Sequence, residues 1–343
     1  MKAVVVGASG YSGGELLRLL DAHPNFQIHG AIAHSQAGEL IANIHPHLIS
    51  SHSGKFAGFD ANLITDADLV FFALPHGESG KILREYESVF TEKKIVDLGA
   101  DFRLVSAQQW EKYYGGIHFG SWQYGLPEIP GAREAIRVSS RIANPGCYAT
   151  AITLSILPFV KLASKVDFSD IVVAAASGTT GAGRSAKINL IGSEVMNSLS
   201  AYKVGGVHQH TPEIEQAITS LLGSSVSLSF TPILAPMPRG ILATVSVPVE
   251  NSSSDELGEL FDSSYAPEKF VHVLQRGQWP QTNSLIGSNG IQIQVIYDDH
   301  ANRAVVIAAI DNLGKGAAGQ ALQNANLIAG FSEDAGLTSI GTR

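Results

Sequence analysis

The chain has one sulfhydryl, Cys147, and its neighbours decide whether that sulfur can react. It stands in Asn144-Pro145-Gly146-Cys147-Tyr148-Ala149-Thr150, ahead of the apolar Ala151-Ile152-Thr153-Leu154. Asn is a favoured helix cap and Pro a favoured first helical residue, so the spacing predicts a helix capped by Asn144 with Cys147 in its first turn. Unsatisfied N–H groups and the macrodipole stabilise an anion there. A thiol with an ordinary pKa of about 8.5 is lowered in such a place and becomes a better nucleophile at neutral pH. An inert cysteine would instead be expected in the middle of a strand or helix. One cysteine also excludes an intrachain disulfide and any multi-cysteine zinc or iron–sulfur site.

A base for that thiol has to come from elsewhere, and one histidine pair stands out. In His208-Gln209-His210-Thr211-Pro212-Glu213, Thr211 and Pro212 read as helix cap and first position, and Ile214, Ile218 and Leu221 follow at helical spacing. His208 and His210 therefore stand on a loop entering a helix, and in an extended chain they point the same way. One reading makes one of them the acid/base partner of Cys147. A second treats His-x-His with Glu213, and the further pair His45-Pro46-His47, as ligands of a metal-dependent hydrolase. A third leaves them as exposed polar loop residues. The segment before His208, Tyr202-Lys203-Val204-Gly205-Gly206, is not the apolar strand that usually leads into a metal site.

Two glycine-rich turns offer anion binding. Residues 7–13 read GASGYSG between an apolar strand and a helix, with spacing G-x-x-G-x-x-G. Such a turn lets backbone N–H groups meet a pyrophosphate at the helix start, which makes Gly7, Ser9, Gly10, Tyr11, Ser12 and Gly13 cofactor-binding candidates. The second strand ends Ala31-Ile32-Ala33-His34-Ser35 with no carboxylate for ribose hydroxyls. Ser35 in that place suits a 2′-phosphate and favours NADP(H) over NAD. Residues 177–184, SGTTGAGR, follow another apolar strand and offer backbone donors, hydroxyls and Arg184 to a phosphate or oxyanion. Arg103 in GADFR and Arg239 in PMPRG are flanked by turn residues and are candidates for holding a carboxylate or phosphate by paired hydrogen bonds.

The elements that must position these groups follow from pattern. The 343 residues suggest two domains. Residues 1–145 alternate apolar strands (2–6, 27–33, 68–74, 94–98) with helical segments, which predicts a parallel sheet covered on both faces. From residue 225 onward the strands alternate with period two, as in Ile241, Ala243, Val245 and Val247, and a turn at 298–303 makes a hairpin. The fold class is α/β: a Rossmann-type parallel sheet domain plus an α+β catalytic domain with a largely antiparallel or mixed sheet. The expected boundaries are 1–145, completed by a C-terminal helical segment of about 315–343, and 146–314. Charged residues are 16% and the net charge is −8, which argues against a nucleic-acid binder. No apolar run approaches the ~20 residues of a membrane span, and MKAVVVGASG reads as a strand rather than a secretory signal, so a cytoplasmic chain with no membrane partner is expected.

Taken together, NPGCYAT, HQHTPEIEQ, GASGYSGGELLRLL, ALPHG at 73–77, SGTTGAGR, PMPRG and KGAAGQA from Lys315 resemble the N-acetyl-gamma-glutamyl-phosphate reductase family over nearly the whole chain. That family is related in fold to aspartate-semialdehyde and glyceraldehyde-3-phosphate dehydrogenases. The resemblance implies reduction of an acyl phosphate by NADPH, with Cys147 expelling phosphate to form a thioester, as the third step of arginine biosynthesis. It implies His210 as acid/base with His208 nearer the substrate. It adds Pro75, Ser177, Gly178, Gly181 and Asn312 on the cofactor side, and Arg103, Asn144, Arg184, Arg239 and Glu213 on the substrate side. It also implies a homodimer or homotetramer. One departure is Gln209, where many members carry Arg. A competing substrate is the one-carbon-longer aminoadipyl phosphate of lysine biosynthesis, with its acidic carrier protein, a partner that the negative net charge disfavours.

Overall fold

Strands that are apolar on both faces pair in parallel in the first sheet. In the computed structural model, which describes residues 1–49 and 54–342, these are Lys2–Val6 (β1), Gln27–Ile32 (β2), Leu69–Phe72 (β3), Lys94–Asp97 (β4), Gln123–Tyr124 (β5) and Arg141–Ala143 (β6). Their order is β2-β1-β3-β4-β6-β5. The connections leave β1 toward β2 on one side and toward β3 on the other, so the sheet has its switch point at the end of β1, where the glycine turn begins. Val4, Val6, Val70, Phe72 and Ile95 pack on one face. On the other, Val5, Leu69, Phe71 and Val96 meet Leu16, Leu17 and Leu20 of helix Tyr11–Asp21 together with Leu322, Ala325 and Ile328 of helix Gly319–Ala329.

The second sheet is mixed. Its strands are Ile171–Ser177 (β7), Ser200–Ala201 (β8), Leu228–Leu234 (β9), Ile241–Pro248 (β10), Val271–Val273 (β11), Ile291–Asp298 (β12) and Arg303–Ile310 (β13). They run in the order β11-β12-β13-β10-β7-β9-β8, antiparallel except for the pairs β7–β9 and β11–β12. Period-two patterning becomes one covered face and one open face. Ile241, Ala243, Val245 and Val247 of β10 are fully buried on the side of helix Cys147–Ile156, whereas Leu242, Thr244 and Ser246 stay half-exposed. Helix Ser254–Tyr265 packs on β12 and starts from Ser253, whose hydroxyl accepts the Glu256 N–H.

The chain divides into one unit of Met1–Pro145 with Ala317–Leu337, and another of Gly146–Gly316 with the segment from Thr338. The C-terminal segment expected as one piece over 315–343 is thus split. Gly319–Ala329 forms the helix of the first unit, while Asn289 N–H donates to the Thr338 carbonyl and Thr342 N–H to Ile286 within the second.

A carboxylate pair closes the inner end of β4. Asp97 is fully buried, and its Oδ1 accepts the Ser79 hydroxyl at 2.9 Å and the Gly99 N–H at 2.8 Å. Asp101 accepts the N–H groups of Gly77 (2.5 Å) and Gly80 (2.8 Å), fixing the start of helix Glu78–Glu85 after the Pro75 turn. Burial first, and then the Asp101 charge, push the Asp97 carboxyl up to about 7. A carboxyl raised in this way binds its proton more tightly folded than unfolded. The stability it contributes is present below its unfolded value of 3.8 and is lost as pH rises through about 7. Asp97→Asn, which mimics the protonated acid, should therefore gain on the wild type between pH 5 and pH 7.5. Urea midpoints at the two pH values check this, and a wild-type lead that widens with pH would contradict it.

Candidate active site

The Cys147 helix starts one step later than capping preference suggests. Gly146 is the cap and Cys147 the first helical residue, so Asn144 and Pro145 precede the helix rather than begin it. The sulfur remains in the first helical turn. Cys147 is half-buried. Behind it lies Gly316, where a Cβ would come within 2.8 Å of the Cys147 Cβ, so only glycine lets the chain pass at that distance.

The second helix start is tied to the first by one hydrogen bond. Glu213, almost fully buried in the first turn of helix Thr211–Leu222, accepts the Gly146 N–H at 2.8 Å through Oε1. Its carboxylate thus reaches the backbone that carries Cys147. The cap of this helix is His210 itself, with Thr211 and Pro212 inside the first turn. His210 is thus placed by the helix start rather than by a loose loop.

The two histidines differ in kind. Their rings stand 4.9 Å apart and nearly perpendicular, and Tyr148 packs edge-on against both. His208 is buried among Tyr148, Tyr202 and Phe230. Its Nδ1 accepts the His210 N–H at 3.1 Å, so the neutral ring carries its proton on Nε2. Burial pushes His208 down to about 2, with His210 and Lys203 acting in the same direction. An imidazole held neutral this firmly does not exchange protons near neutral pH; it orients its neighbour. His210 is half-exposed.

Two tyrosines complete the site, and neither was singled out from sequence. The Tyr202 hydroxyl donates to the Tyr148 oxygen at 3.1 Å, and Tyr148 reaches the carbonyls of Ala175 and Ile233 at 3.4 Å. Burial raises both phenols, Tyr202 to about 12, so both stay protonated. Tyr148 is adjacent to Cys147 and offered that signal; Tyr202 has no spacing that would have marked it. Gln209, the departure from the family pattern, accepts a hydrogen bond from the Lys203 ammonium.

Several anion-binding candidates turn out to be committed to scaffolding. Arg103 is buried and donates to the carbonyls of Asn144 and Leu98, both at 2.7 Å. Asn144 is fully buried, donating to the Ala317 carbonyl and accepting from Asn324. Arg239 forms a two-point ion pair with the buried Asp311, at 3.0 and 2.5 Å. In 177–184 the N–H groups of Gly178, Thr179 and Thr180 donate to Gly240, Met237 and Pro238, and that of Gly181 to Gly178. These amides clasp the PMPRG turn. Asn312 reinforces the clasp, accepting from Gly240 N–H and donating to Thr180 Oγ1. The Ser177 hydroxyl donates to the Gly178 carbonyl. Arg184 is exposed on the following segment.

The glycine turn keeps the features of a pyrophosphate cradle. Gly7 has φ +88°, and a Cβ there would strike the Ala73 carbonyl oxygen at 2.4 Å. A Cβ on Gly13 would meet Gly7 O at 2.5 Å. Gly10 caps helix Tyr11–Asp21, whose first turn, with Tyr11 and Ser12, holds no acid to repel an anion. Ser9 donates to Gln36 at 2.8 Å, beside the exposed Ser35. The metal reading does not survive the donor geometry: His208 Nδ1 and His45 Nε2 are engaged with backbone groups, and among the described residues no three of His, Cys, Asp and Glu converge as ligands.

Comparison with known proteins agrees with this division of labour. Residues 2–139 match the family described as "Semialdehyde dehydrogenase, NAD binding domain", and residues 147–312 match "Semialdehyde dehydrogenase, dimerisation domain". The chain is 54% identical over 342 residues to the N-acetyl-gamma-glutamyl-phosphate reductase of Acidothermus cellulolyticus, covering 99% of this chain and 98% of that one. It is 50% identical to the protein of that name from Frankia casuarinae, covering 98% and 97%. The fold is similar to aspartate semialdehyde dehydrogenase II from Vibrio cholerae (TM-score 0.68, 16% identity, covering 96% of this chain and 98% of that one). It is also similar to the aspartate semialdehyde dehydrogenase from Candida albicans solved with NADP (TM-score 0.67, 17% identity, covering 96% and 98%).

The Glu213 tie is directly testable. Glu213→Ala strands a buried N–H and should cost about 1–3 kcal/mol of unfolding free energy, whereas Glu213→Gln, which keeps an acceptor, should cost less. Urea unfolding of the three proteins measures it, and equal losses in both variants would count against the tie.

Proposed function

Because the chain belongs to the N-acetyl-gamma-glutamyl-phosphate reductase family, we propose that Cys147 and His210 carry the reduction of an acyl phosphate through a cysteine thioester. The reaction is the NADPH-dependent conversion of N-acetyl-L-glutamyl 5-phosphate to N-acetyl-L-glutamate 5-semialdehyde and phosphate, a step of arginine biosynthesis. The observation that carries this reading is the hydrogen bond between Glu213 and Gly146, which joins the helix start bearing the nucleophile to the helix start bearing the histidine.

The chain's residues act in order. Cys147, as thiolate, attacks the acyl carbon; the carbon–sulfur bond forms, the carbon–oxygen bond to phosphate breaks, and inorganic phosphate leaves. The glycine turn would hold NADPH, which would supply the hydride that takes a thioester to the aldehyde level. His210 gives a proton to the resulting oxyanion and takes the hydroxyl proton back as the carbon–sulfur bond breaks, releasing the aldehyde and regenerating the thiolate. His208 stays neutral throughout and holds His210 by its backbone. Gly7, Gly10 and Gly13 hold the pyrophosphate at the helix start. Ser35, in the absence of a carboxylate at the end of β2, favours the 2′-phosphate of NADP(H). Arg184, exposed on the segment after the 177–181 turn, is read as a cation for a substrate anion.

The open face of the second sheet, where Val172 is 44% exposed opposite half-exposed Ser246, is read as the surface for a second copy in a homodimer or homotetramer. Among the described residues no helix is long and apolar enough to cross a membrane, and the reaction is read as cytoplasmic.

The decisive assay is phosphate- or arsenate-dependent reduction of NADP⁺ with N-acetylglutamate semialdehyde, run beside the one-carbon-longer analogue; preference for the longer aldehyde would move the substrate to the lysine pathway. Cys147→Ala should abolish turnover and keep NADPH binding. His210→Ala should lower kcat by about 10²–10⁴, the worth of general acid/base catalysis. A loss below about tenfold would remove His210 from that role.

A further inference from the structure

The His45-Pro46-His47 pair has no part in the chemistry above, yet His45 is buried and its ring is engaged. Nε2 lies 2.9 Å from the carbonyl oxygen of Ala8, inside the glycine turn. A carbonyl can only accept, so the proton sits on Nε2 and the imidazole donates. The ring rests on the first turn of helix Tyr11–Asp21, where a Cβ on Gly14 would come within 2.4–2.9 Å of its Cε1, Nδ1 and Nε2 atoms. The backbone on either side of His45 is fixed: its N–H donates to Ile41 O, and its carbonyl accepts from Leu48 N–H. Phe56 and His47 flank the ring at 6.1 and 5.7 Å between centroids.

The other half of the Ala8 peptide is held as well. The N–H groups of Gly7 and Ala8 both donate to Ile32 O at the end of β2, each at 2.9 Å. With the Ala8 N–H on β2 and its carbonyl on His45, the peptide planes on both sides of Ala8 have their rotation set from opposite directions. These planes lead directly into Ser9 and Gly10, where the helix start begins.

We infer that His45 is a positioning residue for the dinucleotide: by donating to Ala8 it holds the glycine turn in the shape that receives the pyrophosphate, and this rests on reading 7–13 as the NADP(H) site. Gly14 is glycine because the tether needs the imidazole flush against the helix. The cost of losing the tether falls on cofactor binding, while the bond-making steps at Cys147 proceed unchanged once NADPH is bound.

The test compares His45→Asn, polar but too short to reach Ala8, with His45→Gln, whose amide nitrogen reaches about as far as Nε2. In the cofactor-free protein, His45→Asn should speed hydrogen exchange of the amides over residues 8–14 by about three- to tenfold, the worth of one hydrogen bond. The Kd for NADPH should rise by a similar factor, with kcat at saturating NADPH within about twofold of wild type. His45→Gln should restore most of both. Gly14→Ala, which pushes the ring away, should reproduce the His45→Asn effect, and the double variant should add little to either. Gly14→Ala carries the test alone should His45→Asn fail to fold. Unchanged exchange and Kd in the variants, or no recovery in His45→Gln, overturns the inference. Exchange that responds in a protein whose wild type does not bind NADPH leaves the tether standing and removes the cofactor reading.

Discussion

A single hydrogen bond, from Gly146 N–H to the Glu213 carboxylate, joins the helix start at Cys147 to the helix start at His210. Helix starts carry unsatisfied N–H groups, and this one is answered by a buried side chain from the first turn of another helix. The tie fixes where the first residue of one helix, Cys147, stands relative to the cap residue of the other, His210. Neighbouring features work toward the same end. Tyr148 packs against both histidine rings, His208 holds the His210 backbone, and Gly316 lets the chain pass close behind Cys147. Buried polar groups that are fully engaged resist alternative arrangements, because each partner would otherwise be stranded without water.

The same principle accounts for the arginines and amides that look available in the sequence and are occupied in the fold. Arg103, Arg239, Asn144 and Asn312 each bind backbone or a buried carboxylate. The turns they pin, NPGC and SGTTG against PMPRG, are irregular backbone whose polar groups must be satisfied once buried. A residue flanked by glycine and proline is as well placed to brace a turn as to hold a ligand, and sequence spacing does not distinguish the two uses.

What the sequence made legible follows from how local each signal is. Strand periodicity gave both sheets, because alternation at Ile241, Ala243, Val245 and Val247, and unbroken apolar runs such as Leu69–Phe72, are set by burial on one face or two. The helix start at Cys147 was legible because it is written in the residues around it, although the cap fell on Gly146 rather than Asn144. The roles of Glu213, Tyr202 and His45 were not legible. Each depends on a partner 37 to 67 positions away, at Ala8, Tyr148 or Gly146, and pairings at that distance leave no periodic trace. The difference in burial between His208 and His210 was likewise not disclosed by two residues so close in sequence.

The first unit is assembled from the two ends of the polypeptide, with about 170 residues of the second between them. At a synthesis rate of about 5–20 residues per second, Leu16, Leu17 and Leu20 wait roughly 15–60 s on the ribosome before the helix carrying Leu322, Ala325 and Ile328 emerges to cover them. During that interval the nascent amino-terminal segment presents an oily, unfinished surface of the kind that makes a partly made chain prone to aggregate.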